Sequence, residues 1–251
     1  MTSVRKVSHT FFGILKSKKK PNLIVVGIPW FEFSTYRKCS LEGLKLLREA
    51  TSSKIYNIFS ESLTNLSEYW RIMDLGDMDI KRKTYHELSI EICETIKKTY
   101  REHSMFLFLG GDHSITYLTV KALKEVTDKE LGLLYFDVHP DLYYEYEGNK
   151  YSHACVLRRI IEEGFVNPEN ILLIGVRAPT KEHIDFITKN KIMMISSKEL
   201  SLKGIEIINS YIKAIDKNVD KVYLSFDLDV LDPAYVPGVS NPEPDGISTR
   251  M

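Results

Sequence analysis

Three short tracts carry residues able to bind metal: Gly110-Gly111-Asp112-His113-Ser114, Asp137-Val138-His139-Pro140-Asp141 and Ser225-Phe226-Asp227-Leu228-Asp229. In an extended strand, residues two apart face the same side, so Asp137, His139 and Asp141 are expected to converge, as are Asp227 and Asp229. Gathering several carboxylates in one buried place without counter-charge is very costly, and a pair of divalent cations neutralises them. Histidine nitrogens among carboxylate oxygens, with no thiolate in any tract, suit manganese or a similar oxygen-loving ion better than a structural zinc site. Magnesium, cobalt, nickel and zinc stay open. Two ions about 3.5 Å apart share a water whose pKa falls toward neutrality, so the expected chemistry is hydrolysis by hydroxide. Asp112 reads as a carboxylate that organises backbone or supports a ligand. Gly110-Gly111 reads as a tight strand-to-helix turn.

These tracts need a frame that brings them to one place. Short apolar runs alternate with longer helical patterns along the chain. Strands are predicted over Leu23–Gly27, Trp70–Asp74, Met105–Gly110, Leu131–Val138, Ile171–Val176, Ile192–Ile195 and Val222–Asp227. Helices are predicted around Thr84–Tyr100, Ile115–Val126, His153–Glu163, Thr180–Lys189 and Ile205–Asp216. Nearly continuous hydrophobic strands alternating with helices imply an α/β fold with a parallel sheet covered on both faces. The ligand tracts then lie at the carboxyl ends of the third, fourth and seventh predicted strands, where open α/β sheets bind ligands.

Composition narrows the function classes. With 251 residues, 43% of them hydrophobic, the chain can bury a substantial core, and no linker divides it. Lys plus Arg equals Asp plus Glu at 34 each, so no global field draws it to nucleic acid or to an anionic membrane surface. No apolar run is long enough to span a bilayer. Cys39, Cys93 and Cys155 are odd in number and scattered, which fits buried thiols in the cytosol better than a disulfide framework. Residues 1–20 carry Arg5, Lys6, Lys16 and Lys18 to Lys20 without an acid, and read as a solvated basic extension, with an organellar presequence as the alternative.

Taken with Ser152-His153-Ala154 and Asp232-Pro233-Ala234-Tyr235-Val236-Pro237-Gly238, the three tracts resemble the ureohydrolase family of arginases, agmatinases and formimidoylglutamases. Gly27-Ile28-Pro29, the stretch from Tyr36-Arg37 to Arg48-Glu49, and Asp74-Leu75-Gly76-Asp77 are similar to agmatinase segments. The resemblance implies a three-layer α/β/α fold with a mostly parallel sheet over residues 21–251, a dimanganese centre and a homo-oligomer. It also implies hydrolysis of a guanidino group to urea and an amine. Carried onto matching positions, His113, Asp137, Asp141 and Asp227 hold one ion, and Asp137, His139, Asp227 and Asp229 the other. Asp137 and Asp227 would bridge. His153 matches the family histidine that passes a proton to the departing amine, although a Ser-His pair can also simply begin a helix. His9, His86, His103 and His183 belong to no tract and read as structural or solvated.

The loop Leu142–Ser152 bears on the substrate. Arginases resemble one another there in a Ser/Asn-rich stretch that holds a carboxylate. This chain has Tyr143, Tyr144, Tyr146 and Tyr151 with Glu145 and Glu147, which suits a substrate with a distal amine, agmatine foremost. Solvated glutamates on a loop are the competing explanation. The resemblance departs at Gly27-Ile28-Pro29-Trp30-Phe31-Glu32, which lacks the aspartate expected after the aromatic. It departs again at Gly246-Ile247-Ser248-Thr249-Arg250-Met251, where many family members continue into a last strand inserted in the sheet. Without that strand, unpaired edges are expected. Three other readings therefore stay open: a metal-binding but impaired chain with an assembly role, an arginase or other guanidino-substrate ureohydrolase, and a single-zinc deacylase, the last fitting the ligand count less well.

Overall fold

In the computed structural model, which describes residues 4–13, 20–37, 42–52 and 57–251, most of the apolar runs of the sequence become parallel strands. Lys16, Lys18, Lys19 and Cys39 lie outside the described residues. Two units are present, Met1–Phe31 with Cys39–Ile115, and Glu32–Lys38 with Thr116–Met251.

The first unit contains β1 (Val4–Arg5), β2 (Leu23–Ile28), α1 (Glu42–Ser52), α2 (Leu66–Tyr69), β3 (Ile72–Met78), α3 (Tyr85–Thr99) and β4 (Met105–Gly110). Its sheet runs β1-β3-β2-β4, with β2 parallel to both neighbours and β1 antiparallel to β3. The segment read as a basic extension thus supplies a strand, and the amide of Phe11 donates to Asp74 Oδ2 at 2.8 Å. β3 begins two residues later than its prediction and continues to Met78 because it is bulged. The register of β2 on β3 shifts after Val25, and Gly76 sits at φ +96° with no room for a side chain, since a Cβ would stand 2.0 Å from the Arg5 carbonyl oxygen. α1 escaped prediction because Lys45, Arg48 and Glu49 interrupt its apolar stripe. Arg48 is in fact buried, donating to Asp74 at 2.8 Å and to Asp77 at 2.6 Å. Thr84 begins α3 with a capping box to Glu87.

The second unit contains α4 (Ser114–Lys124, counted here from Thr116), β5 (Leu131–Phe136), α5 (Val156–Glu162), β6 (Ile171–Val176), α6 (Lys181–Asn190), β7 (Met193–Ser196), α7 (Ser197–Lys203), α8 (Glu206–Ile215) and β8 (Lys221–Phe226). All four strands are parallel, in the order β7-β6-β5-β8. Every residue of β6 is buried, and each such Ile or Leu contributes about 1.5–3 kcal/mol relative to exposure. One face packs Leu172, Ile174 and Ile195 against Leu200, Ile208 and Ile215 of α7 and α8. On the other face Thr116 and Thr119 of α4 reach Ser225 at 3.2 Å and the Tyr223 hydroxyl at 2.7 Å. Helices therefore cover both faces of this sheet. β8 is one of its two edge strands, with Val222, Leu224 and Phe226 about half exposed. Cys93 and Cys155 are buried and are not joined in a disulfide. Among the described residues no helix is long and apolar enough to cross a membrane.

Candidate active site

The predicted ligands emerge from strand ends, but their convergence has a different origin from strand alternation. β5 stops at Phe136 and β8 at Phe226, so Asp137 to Asp141 and Asp227 to Asp229 lie in turns. Asp137 Oδ1 accepts the amide of His139 at 2.6 Å, and Asp227 Oδ1 accepts that of Asp229 at 3.0 Å. Each aspartate thereby folds its own tract so that position i+2 returns toward it, the known habit of Asp at turns. Their backbones stay tied to the sheet, with the Asp137 amide donating to Ile174 and the Asp227 amide to Phe136.

The turns bring Asp137, His139 and Asp229 together, one ligand atom from each lying within 4.8 Å of the others. His139 Nδ1 stands 3.4 Å from Asp137 and 3.2 Å from Asp229. An oxygen of Asp141 lies within 4.8 Å of one on Asp137. Asp227 falls outside the Asp137, His139 and Asp229 group. Asp137, Asp141 and Asp229 are all buried. Asp141 adopts φ +49°, a left-handed conformation unusual for a side-chain-bearing residue. Its carbonyl accepts the amides of Leu157 and Arg158 at the start of α5, and its carboxylate accepts the buried Tyr135 hydroxyl at 2.7 Å. Sequence reasoning overlooked Tyr135, although strand alternation puts it on the side of Asp137.

The electrostatics test whether this donor set fits a cation. Burial, then the charges of Asp137 and Asp227, push the Asp229 carboxyl far above the usual range. Burial works against a charged His139, yet Asp137 and Asp229 outweigh it and raise the imidazole as well. The two groups compete for the same proton, and His139, facing Asp137 and Asp229 together, is held toward its charged form. A cluster that draws a proton this strongly is short of positive charge, and its oxygen and nitrogen donors fit divalent metal.

His113 lies in the first unit, just past β4. Its turn depends on Gly111, where a Cβ would stand 1.9 Å from the Trp30 carbonyl oxygen. Asp112 accepts the Ser114 amide at 3.0 Å and the Ser114 hydroxyl, so it organises backbone. His153 begins a short 3-10 turn, His153–Cys155, that is capped by Ser152 and leads into α5. Its Nε2 lies 3.1 Å from Thr35 Oγ1. His183 is a buried part of the α6 capping box, and burial depresses its pKa to about 4. In the loop, Glu147 and Gly148 both have positive φ and form the tip of a hairpin closed between Tyr146 and Asn149. Glu145 and Glu147 are solvent-exposed.

The profile of the arginase family matches residues 21–251. The chain belongs to the arginase family. It is 36% identical to an uncharacterized 32.2 kDa protein of Methanothermus fervidus, the match covering 93% of this chain and 77% of that one. It is 32% identical to the mitochondrial arginase of Medicago truncatula, over 90% of this chain and 67% of the relative. The crystal structure of the agmatine ureohydrolase of Thermoplasma volcanium superimposes with a TM-score of 0.80 at 29% identity, covering 98% of this chain and 80% of that one. The fold is accordingly the arginase-like α/β fold with mostly parallel strands, and the protein is an arginase-family hydrolase.

This arginase-family chain uses one further residue that sequence reasoning missed. Arg177, at the end of β6, donates to the carbonyls of Asp229 at 2.8 Å, Val230 at 3.0 Å, Glu243 at 2.8 Å and Pro244 at 2.8 Å. It clamps the Asp229 turn to the segment that returns to pair Ile247 with Leu231. Arg177→Ala is expected to lower stability by about 2–4 kcal/mol, because hydrogen bonds from a charged donor are worth ~1.5–3 kcal/mol each and water replaces some of them. Arg177→Lys should fail to restore it, lacking the planar fork. Denaturant midpoints measure both, and a loss below about 0.5 kcal/mol for the alanine variant would show the segments holding themselves.

Proposed function

We propose that the protein hydrolyses a guanidino compound to urea and a primary amine, with agmatine, giving putrescine, as the leading substrate. The group of buried Asp137 and Asp229 with half-buried His139, at the carboxyl ends of β5 and β8, carries this reading. With Asp141 and Asp227, these residues would hold divalent ions, manganese being the best match to the donors. When bound, such ions supply the charge that acidifies a water molecule and stabilises developing anionic character on the guanidino carbon's substituents.

The reaction adds water across the carbon–nitrogen bond to the alkyl chain. That bond breaks, the guanidino carbon keeps the water oxygen as urea, and the departing nitrogen leaves as the protonated amine. An alkylamide anion is a very poor leaving group, so the nitrogen must gain a proton as the bond breaks. His153 is the residue we assign to deliver it. Tyr135 fixes the Asp141 carboxylate, and Arg177 fixes the backbone that bears Asp229. Agmatine is favoured over arginine by the loop, which offers tyrosines and glutamates rather than a Ser/Asn-rich carboxylate cradle.

Urea release from agmatine and from arginine by manganese-loaded protein tests both levels. Agmatine is expected to be turned over with at least about tenfold higher kcat/KM, a discrimination worth ~1.4 kcal/mol. Preference for arginine would overturn the substrate assignment, and urea from neither would overturn the agmatine and arginine readings together.

A further inference from the structure

We propose that Thr35 is a positioning residue for His153, carried on a strap formed by residues 32–37. The inference rests on His153 being the proton donor. The strap is more than 100 residues from His153 in sequence, with Thr35 and His153 separated by 118 positions, yet it packs within the same unit. Thr35 Oγ1 lies 3.1 Å from His153 Nε2. The strap is itself fastened to the loop beyond the Asp227 and Asp229 turn. Arg37 Nη1 donates to the Pro237 carbonyl at 3.1 Å, Ser240 Oγ donates to the Arg37 carbonyl at 2.9 Å, and the Ser34 and Ser240 hydroxyls lie 3.0 Å apart. Ser34 Oγ also donates to the Arg37 carbonyl at 2.7 Å, closing the turn on itself.

A threonine hydroxyl suits this position because it can accept from a protonated Nε2 and donate to a bare one. It therefore holds the ring through both protonation states that a proton donor must visit. The turn capped by Ser152 fixes the backbone from which the imidazole starts, and Thr35 fixes where its tip points. Valine has nearly the same shape and cannot form the bond. Misplacing a reacting group by about 1 Å can cost on the order of 10²-fold.

The test is steady-state kinetics of manganese-loaded Thr35→Val, Thr35→Ser, His153→Asn and the Thr35→Val, His153→Asn double variant. We expect Thr35→Val to lower kcat about tenfold or more with KM, metal content and melting temperature unchanged. Thr35→Ser should retain most of the parent rate. In the His153→Asn background Thr35→Val should have no further effect, since there is no ring left to position. A parental kcat for Thr35→Val beside a slow His153→Asn would overturn the inference alone. An equal slowing of both backgrounds would show that Thr35 acts elsewhere. A parental rate for His153→Asn would instead remove the assignment on which the inference depends.

Discussion

Asp137→Asn is expected to abolish stable metal loading and with it urea release, while leaving the fold intact. Asp137 is buried within 4.8 Å of ligand atoms on His139 and Asp229 and of an oxygen on Asp141. Asparagine keeps the shape and an acceptor for the His139 amide, so the turn should survive. What disappears is a full negative charge at 1% exposure. Loss of a residue that merely supports a metal ligand costs roughly 10–100-fold in affinity or activity, and loss of a direct ligand should exceed that. Metal analysis after dialysis against manganese should show fewer than one ion per chain, and the metal-free variant should melt at or above the parent, because one source of repulsion around Asp229 is gone. Undiminished manganese content would sink the site. The same electrostatics predict the pH dependence of loading. Both His139 and Asp229 hold protons more tightly than usual, and a ligand must lose its proton to bind. Metal binding should therefore release protons and weaken as pH falls, which a manganese titration in weak buffer would record.

How far the sequence foretells this structure depends on whether a segment's energetics are local. β4 and β6 match their predicted limits because each is an uncharged apolar run bounded by polar or glycine residues, wholly buried in β6 and partly so in β4. α1 does not, because the residue that docks it is Arg48, and an arginine counts as solvent-facing until Asp74 and Asp77 are brought to it from β3. α7 went unrecognised although Ser196 and Glu199 form a capping box at the expected spacing, since the strand immediately before it leaves no loop to mark a new element. The site shows the same division. The identities of Asp137, His139, Asp141, Asp227 and Asp229 are visible in the tracts. The turns that converge them are side-chain-to-backbone bonds, and a period-two argument about strands does not contain those. Arg177 and Thr35 were out of reach for another reason, because each acts on atoms many residues away and neither has a local signature.

Replacing His153 with asparagine is expected to slow urea release by about 10²- to 10⁴-fold, the range contributed by a positioned acid or base, equivalent to ~2.7–5.4 kcal/mol in the barrier. Asparagine can keep a hydrogen bond to Thr35 and can occupy the 3-10 turn, so the capped start of α5 should hold. It cannot supply a proton. His153 belongs to none of the ligand groups among the described residues, so manganese content should match the parent, and this separates the variant from Asp137→Asn. The choice between a chemical role and a helix-start role then falls on the dependence of rate on the leaving group. If proton delivery limits the variant, substrates whose departing amine is less basic should recover part of the lost rate, because they need less proton transfer at the moment of cleavage. A helix-start residue would change stability and leave that dependence flat. Parental turnover in His153→Asn, or an equal deficit across leaving groups of different basicity, would take the proton from His153 and return the residue to the turn that Ser152 begins.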